Sequence, residues 1–442
     1  MPVLASQKTP IARSTLGRCA FPSPFASGLE YSAPARGPWT IMHLGLLVPD
    51  THIVFVCAEC CLRGVVMSAA EVKALDRFST ITIEDKNLLE GDTEDVLVDG
   101  VADVIAKLRY RPRAVLIYTS CVHEFIGSDL NFSFDTLRAR FPDIDFTDCY
   151  MTPVLRKRIS PDARNRRQIY SLLRSRTDRD DGVTIFADVR PHEEHSDIRR
   201  VVEASGRPWR TITSTRTYDE YQALARSEFA LSVNPVGKAA IEWAGERLGM
   251  QPIMLSCGWS IEENTRMLED LGQRLGAPRL DWTDTQNEAK DALREARERL
   301  ADTPIAIDYT ATTRPCSLAR LLIENGFNVS HLFVDQFLPP DRADFEWLRS
   351  HAPELAVFPT VHNSMVHARA ELTDPSVVAI GQKAAYFTGT DRFINMIEGD
   401  GTDGLRSIAW LARRLIDAFE HPKSARETIQ IKALGCTRGG CL

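Results

Sequence analysis

Short apolar runs that end in small or thiol-bearing residues, each followed by a stretch of helical spacing, constrain this chain more than any other feature. Ile53-Val54-Phe55-Val56 reads as a buried strand, and the small residues and helix formers after Cys61 read as the helix it feeds. Ala114-Val115-Leu116-Ile117-Tyr118 is a second strand with Thr119-Ser120-Cys121 as its tip, and residues 133–141 form the next helix. Between the two strands, residues 96–108 again show helical spacing. A strand–helix–strand order predicts a parallel sheet, because parallel neighbours need a long crossover.

The pattern recurs twice. A second unit begins near Gly182, after the charged linker 174–181, with strands at 183–186 and 229–233 and helices at 196–205 and 238–248. A third begins near Pro304, with strands at 305–309, 328–334 and 355–358 and a helix at 317–325 before the turn at Gly326. A charged helix over 288–300 links the two. Residues 1–40 are rich in Pro, Ser, Gly and Ala without periodicity, and predict an irregular arm on which Cys19 is exposed unless something binds it. The expected organisation is an arm over 1–40, a first α/β domain over 41–175, a second over 182–300, and a third over 304–442 with C-terminal helices and a tail. Each is a doubly wound, Rossmann-like domain with a parallel sheet, the class of fold that binds ligands in crevices at the carboxyl ends of its strands.

The cysteines lie at such ends. Cys19 stands ahead of a proline-rich loop, Cys57-Ala58-Glu59-Cys60-Cys61 closes one apolar run, and Cys121 closes another. Thiols at strand mouths, where N–H groups of a following helix face bound sulfide, suit iron–sulfur ligation and point to a redox protein. Ten cysteines in 442 residues are too few for a disulfide scaffold, and no charged segment followed by an apolar one opens the chain, so a reducing, cytoplasmic setting is expected. No apolar run approaches the roughly 20 residues of a membrane span. A net charge of -7 with interspersed signs gives no basic stripe, so neither membrane nor nucleic acid is an expected partner. Cys149, Cys257 and Cys316 read as small buried hydrophobes, and Cys436 and Cys441 as part of a flexible tail. His362 and His367 have no third ligand, the group Asp188, His192, Glu193, Glu194 and His195 reads as a solvated loop, and the run Arg164 to Arg167 as a solvated face or subunit contact.

The run Thr119-Ser120-Cys121-Val122-His123-Glu124-Phe125-Ile126-Gly127-Ser128-Asp129-Leu130 resembles the nitrogenase component 1 superfamily signature, in which a cysteine is followed by a glutamate and then Ile-Gly-x-Asp. Val56-Cys57-Ala58-Glu59-Cys60-Cys61 resembles that family's His-Gly-Pro-x-Gly-Cys element with its cysteine on Cys61, and Cys19 before Pro22 and Gly28 resembles the early cysteine. Val56-Cys57 and Cys60 replace the element's His-Gly and second Gly, so Cys57 and Cys60 stand as alternatives to Cys61. The resemblance implies three tandem doubly wound domains in the nitrogenase component 1 fold. It also implies that Cys19, Cys61 and Cys121 supply half the ligands of an [8Fe-7S] P-type cluster, or a [4Fe-4S] cluster, shared with an α-like subunit in an α2β2 heterotetramer. An ATP-dependent [4Fe-4S] reductase homodimer would deliver electrons. Catalytic subunits of true nitrogenases hold the active-site metallocluster by a cysteine after the second domain's inner strand and a late histidine. Here Leu231-Ser232-Val233-Asn234-Pro235 has no cysteine, and residues 379–390 and 398–401 have no histidine. The chain therefore resembles the non-catalytic, β-like (K-type) partner, which relays electrons to the cofactor next door and carries no catalytic residue itself. Its look, including residues 65–71 and 76–78, is closest to the methylthio-alkane reductases, which cleave carbon–sulfur bonds. A dark-type tetrapyrrole reductase subunit and a cofactor-assembly scaffold that turns nothing over are the alternative readings.

Overall fold

The computed structural model describes residues 10–31, 33–35, 41–151, 160–191 and 196–429. His192 to His195, Cys436 and Cys441 lie outside the described residues. The chain divides into two compact units, one built from Trp39–Pro191 and Val202–Leu255, the other from Met1–Pro38, His192–Val201 and Ser256–Leu442.

The first of these units holds two four-stranded parallel sheets. One joins β2 (Thr51–Ala58), β3 (Phe78–Ile83), β4 (Ala114–Ser120) and β5 (Asp145–Met151) in the order β3-β2-β4-β5. The period of two along β2 and β4 explains their unbroken apolar character. Ile53, Phe55 and Cys57 share a buried cluster with Leu116, Tyr118 and Cys149, while Val54 and Val56 share the opposite one with Val115 and Ile117. Both sheet faces are covered, so neither can be polar. The other sheet joins β6 (Val183–Ile185), β7 (Trp209–Thr211), β8 (Phe229–Ser232) and β9 (Gln251–Met254) in the order β7-β6-β8-β9, again all parallel. Arg166, read from sequence as part of a solvated face, is instead fully buried. Its Nε donates to Asp162 at 2.9 Å and its Nη1 to the Ala187 carbonyl at 2.6 Å, which satisfies the charge internally.

The other unit carries a six-stranded sheet in the order β1-β12-β11-β10-β13-β14. Its parallel strands are β10 (Pro304–Asp308), β11 (Asn328–Phe333), β12 (Ala356–Phe358), β13 (Val378–Ile380) and β14 (Phe393–Ile394). The sixth, β1 (Ser14–Thr15), comes from the stretch expected to be a loose arm and pairs antiparallel with β12. Leu16 and Gly17 extend the attachment by donating to the carbonyls of Leu355 and Pro353, both at 2.9 Å. Ile11, Leu16, Cys19, Ala33 and Ala35 are all buried, so the exposed Cys19 expected from sequence is corrected to a thiol only 6% exposed. A two-residue strand is too short to produce a periodic signal, and its partner lies some 340 positions along the chain. The helix Thr283–Leu300 packs its Ala289, Ala292, Leu293, Ala296 and Leu300 into the same core as Leu411 and Leu415 of the helix Arg406–Glu420. Among the described residues, no helix is long and apolar enough to cross a membrane.

Candidate metal centre

The carboxyl end of the first sheet gathers four cysteines. Strand β2 runs directly into the helix Glu59–Glu71, whose preceding residue, Ala58, offers no side-chain cap to the free N–H groups of the first turn. Cys57 is the penultimate strand residue and points into the core. Cys60 and Cys61 are the second and third residues of the helix; both are exposed, with sulfur atoms 3.9 Å apart. Cys121 begins the helix Cys121–Ile126 at the tip of the neighbouring β4 and is half-buried.

The electrostatics show that these thiols share one neighbourhood. Burial pushes the Cys57 thiol up to about 12, with Cys61, Cys60 and Cys121 adding to the shift. Cys61 is also raised, by burial first, then by its hydrogen bond to Cys60 and by the nearness of Cys60 and Cys121. A thiolate at Cys57 or Cys61 is therefore disfavoured without a local positive charge, of the kind a bound metal supplies.

The run after Cys121 has a simple structural logic. Gly127, in the left-handed region at φ 69°, ends the short helix, and Ser128 N–H donates back to the His123 carbonyl at 2.9 Å. Asp129 then caps the helix Leu130–Arg140 by accepting from Phe132 N–H at 3.0 Å, and its own N–H donates to Glu94 at 2.7 Å. The Ile-Gly-x-Asp part of the motif thus redirects the chain and holds Cys121 at the strand mouth.

The residues flanking Cys121 carry an unusual deficit. Among the described residues, buried Thr119 Oγ1, Ser120 Oγ and His123 Nε2 have no hydrogen-bond partner. His123 Nδ1 contacts the Ser120 carbonyl at 3.3 Å, and burial lowers the ring's pKa, so the imidazole is neutral at physiological pH. Three unsatisfied polar atoms beside four thiols fit a group that supplies sulfide and iron, since native proteins rarely leave buried polar atoms unpaired. No three His, Cys, Asp or Glu side chains among the described residues converge as a single metal ion requires.

Of the residues singled out from sequence, Cys57, Cys60, Cys61 and Cys121 are therefore brought together, whereas Cys19 belongs to the other unit. Cys19 shares a buried cluster there with Cys316, and burial raises its pKa. Cys149 and Cys316 are fully buried and His367 is exposed, as their sequence contexts indicated, whereas Cys257, expected to be buried, is half-buried with its sulfur 3.6 Å from that of Met267. The unpaired Thr119, Ser120 and His123 left no sequence signal of a site role; their burial and lack of partners emerge only in the folded chain.

Three Rossmann-like parallel sheets, one with cysteines at its strand mouths, place the chain among multi-domain α/β proteins with a candidate thiol site. Residues 38–396 match the model of nitrogenase component 1 type oxidoreductases, and the chain belongs to that family. The structure of nitrogenase Cp1 at pH 6.5 is similar, with a TM-score of 0.66 and 13% identity over 90% of this chain and 94% of that one. Nitrogenase Cp1 at pH 5 gives 0.59 and 11% over 92% and 94%. At such identities the likeness is one of fold. No curated protein matches the sequence.

Proposed function

We propose that this chain is the β-like, electron-relay subunit of a nitrogenase-like two-component reductase. Cys61 and Cys121, with Cys19, would hold its half of an [8Fe-7S]-type cluster at the interface with an α-like subunit that houses the active-site metallocluster. The observation that carries the reading is the surface around the thiols. Cys60 and Cys61 are exposed, and Phe125, Ile126 and Phe132, which follow Cys121, are 73%, 44% and 57% exposed. Such apolar side chains beside exposed thiols are the mark of a surface that a partner covers.

An iron–sulfur cluster, when bound, supplies reversible electron storage at low potential. The chain's own residues would supply the thiols, Phe125 and Ile126 would exclude water once a partner covered them, and Thr119, Ser120 and His123 would offer the bound group polar neighbours. The raised thiol pKa values mean that assembly releases protons, so loading should weaken in acid. The overall reaction we propose is reductive carbon–sulfur cleavage of a methylthio-alkane, in which two electrons and two protons convert R–S–CH3 into R–H and methanethiol.

The test is iron and sulfide analysis with EPR on anaerobically purified complexes. Cys61→Ala and Cys121→Ala should lose most cluster iron, while Cys60→Ala retains it. Full iron in Cys61→Ala with loss in Cys57→Ala or Cys60→Ala would move the ligand along the segment. Given the reductase, ATP, dithionite and a small methylthio substrate, wild-type complex should release methanethiol. An inert complex that passes its cofactor to another apoprotein would make the chain an assembly scaffold, and reduction of a tetrapyrrole would replace the substrate.

A further inference from the structure

A cavity of about 280 Å³ opens beside the helix Ile261–Leu275 and the turn that leads into the helix Thr283–Leu300. Its wall is mainly apolar, from Val201, Leu268, Pro278, Leu280 and Trp282, with Gln273 among its polar lining. The volume is at or just below the lower end of the roughly 300–1,000 Å³ typical of small-molecule sites, which limits an occupant to one or two fused rings.

Trp282 is the informative residue. It is 4% exposed, and its indole N–H has no hydrogen-bond acceptor among the described residues, yet that atom is not sealed from solvent. The protein's other tryptophan of equal burial, Trp259, behaves normally: its N–H donates to Thr312 Oγ1 at 3.0 Å. A nearly buried indole usually finds a partner for its N–H. Here the donor is open to water or to a ligand that enters the cavity. The Arg200 guanidinium lies 4.9 Å from the centroid of the Trp282 ring, which adds a second planar group to this corner.

The local charges cancel. Arg279 pairs with Glu269 at 3.6 Å, and the Asp281 carboxylate is held by Thr283 N–H and Oγ1 at 2.9 and 2.7 Å, with Arg200 and Arg279 near enough to help lower its pKa. A charged ligand would gain nothing from this balance. Gln273 offers both a donor and an acceptor to the edge of a flat ring.

From this combination we infer that the cavity is a binding site for a small, uncharged, planar nitrogen heterocycle, one acceptor of which takes the hydrogen bond from Trp282 Nε1. It is a ligand site separate from the thiols of the first sheet and does not depend on the function proposed for them.

Calorimetric titration of the assembled protein with adenine, and separately with nicotinamide, tests the inference. At least one should bind saturably at one site per chain. Trp282→Phe keeps a ring but deletes the donor and should weaken binding roughly three- to tenfold, the worth of one hydrogen bond. Gly272→Leu should abolish it. A Cβ at position 272 would sit 3.7 and 3.8 Å from Val201 and Ala277, ordinary contact distances, so the added side chain can fill the cavity without forcing the backbone. Melting temperatures of both variants report whether they fold, and Trp282→Phe decides alone if Gly272→Leu does not. No saturable binding by either heterocycle, binding unchanged in the folded variants, or equal affinity for benzene, which has no acceptor, would overturn the assignment.

Discussion

His52 is the residue whose protonation most directly threatens the strand that carries the thiols. It sits at the amino end of β2 and is 1% exposed, with Nδ1 2.8 Å from the Tyr110 hydroxyl and Nε2 2.8 Å from Ser79 Oγ. Burial, and after it the Arg77 guanidinium, lowers its pKa from the ordinary 6.5 to about 4. The folded protein thus binds this proton less tightly than the unfolded chain. Stability from the neutral ring is fully present above pH 6.5 and is lost as pH falls toward 4. Two and a half units at about 1.4 kcal/mol each give on the order of 3 kcal/mol as an upper bound. Hydrogen exchange of the β2 amides in the assembled complex, corrected for intrinsic rates and followed by mass spectrometry from pH 7.5 to 4.5, should show protection declining through that window. His52→Gln should start lower, having lost part of the two ring contacts, and show a flatter slope. An identical slope in the variant would mean that another group sets the acid sensitivity of this strand.

Two further outcomes follow from geometry. Phe125→Asp should reduce recovery of the heteromeric complex at least tenfold on size exclusion while leaving the chain's own melting temperature unchanged, because the side chain is 73% exposed without a partner. Gly381→Ala should lower the melting temperature, since position 381 has φ 106° and its added Cβ would lie 2.3 Å from the buried Asp308 carboxylate; a cost of at least about 1–3 kcal/mol is expected, and an unchanged melting curve would refute it.

The parallel sheets and their cysteine-tipped strands were legible because a strand buried on both faces leaves a continuous apolar run, as β2 and β4 do. Gln251–Met254, which is mostly exposed, and Val378–Ile380 were not, although the equally short strands Val183–Ile185 and Ala356–Phe358 lie within expected runs. The attachment of residues 14–19 also escaped detection. It consists of backbone hydrogen bonds to positions 353–357, which side-chain composition does not encode. At the candidate site, sequence located the thiols but could not rank Cys57, Cys60 and Cys61. The fold separates them by exposure, one facing the core and two facing outward, because the chain changes from strand to helix between residues 58 and 59.

Each of the three sheets presents a crevice at the carboxyl ends of its strands, and the crevices are filled in different ways. In the third, Asp308 accepts from Thr310 and from Ala384 N–H, and Lys383 Nζ donates to Tyr309 at 3.1 Å and to Thr360 at 2.9 Å, so each charged group is held by neutral neighbours, while buried Gln382 Oε1 has no partner among the described residues. In the second, Ser232 Oγ donates to the Asn234 carbonyl, the Asn234 side chain accepts from Val236 N–H, and Gly237 lies so close that a Cβ would fall 2.1 Å from Ser232 Oγ and 2.8 Å from Ala187. That segment is the one where related catalytic subunits are expected to hold their cofactor by a cysteine, and here it is packed against itself. Only the first crevice combines exposed donors with buried polar atoms left unpaired among the described residues, at Thr119, Ser120 and His123. If the proposed relay role holds, exposed thiols at this strand mouth and a self-packed segment at Ser232 to Gly237 are what a subunit that passes electrons on, and leaves substrate chemistry to its partner, would need.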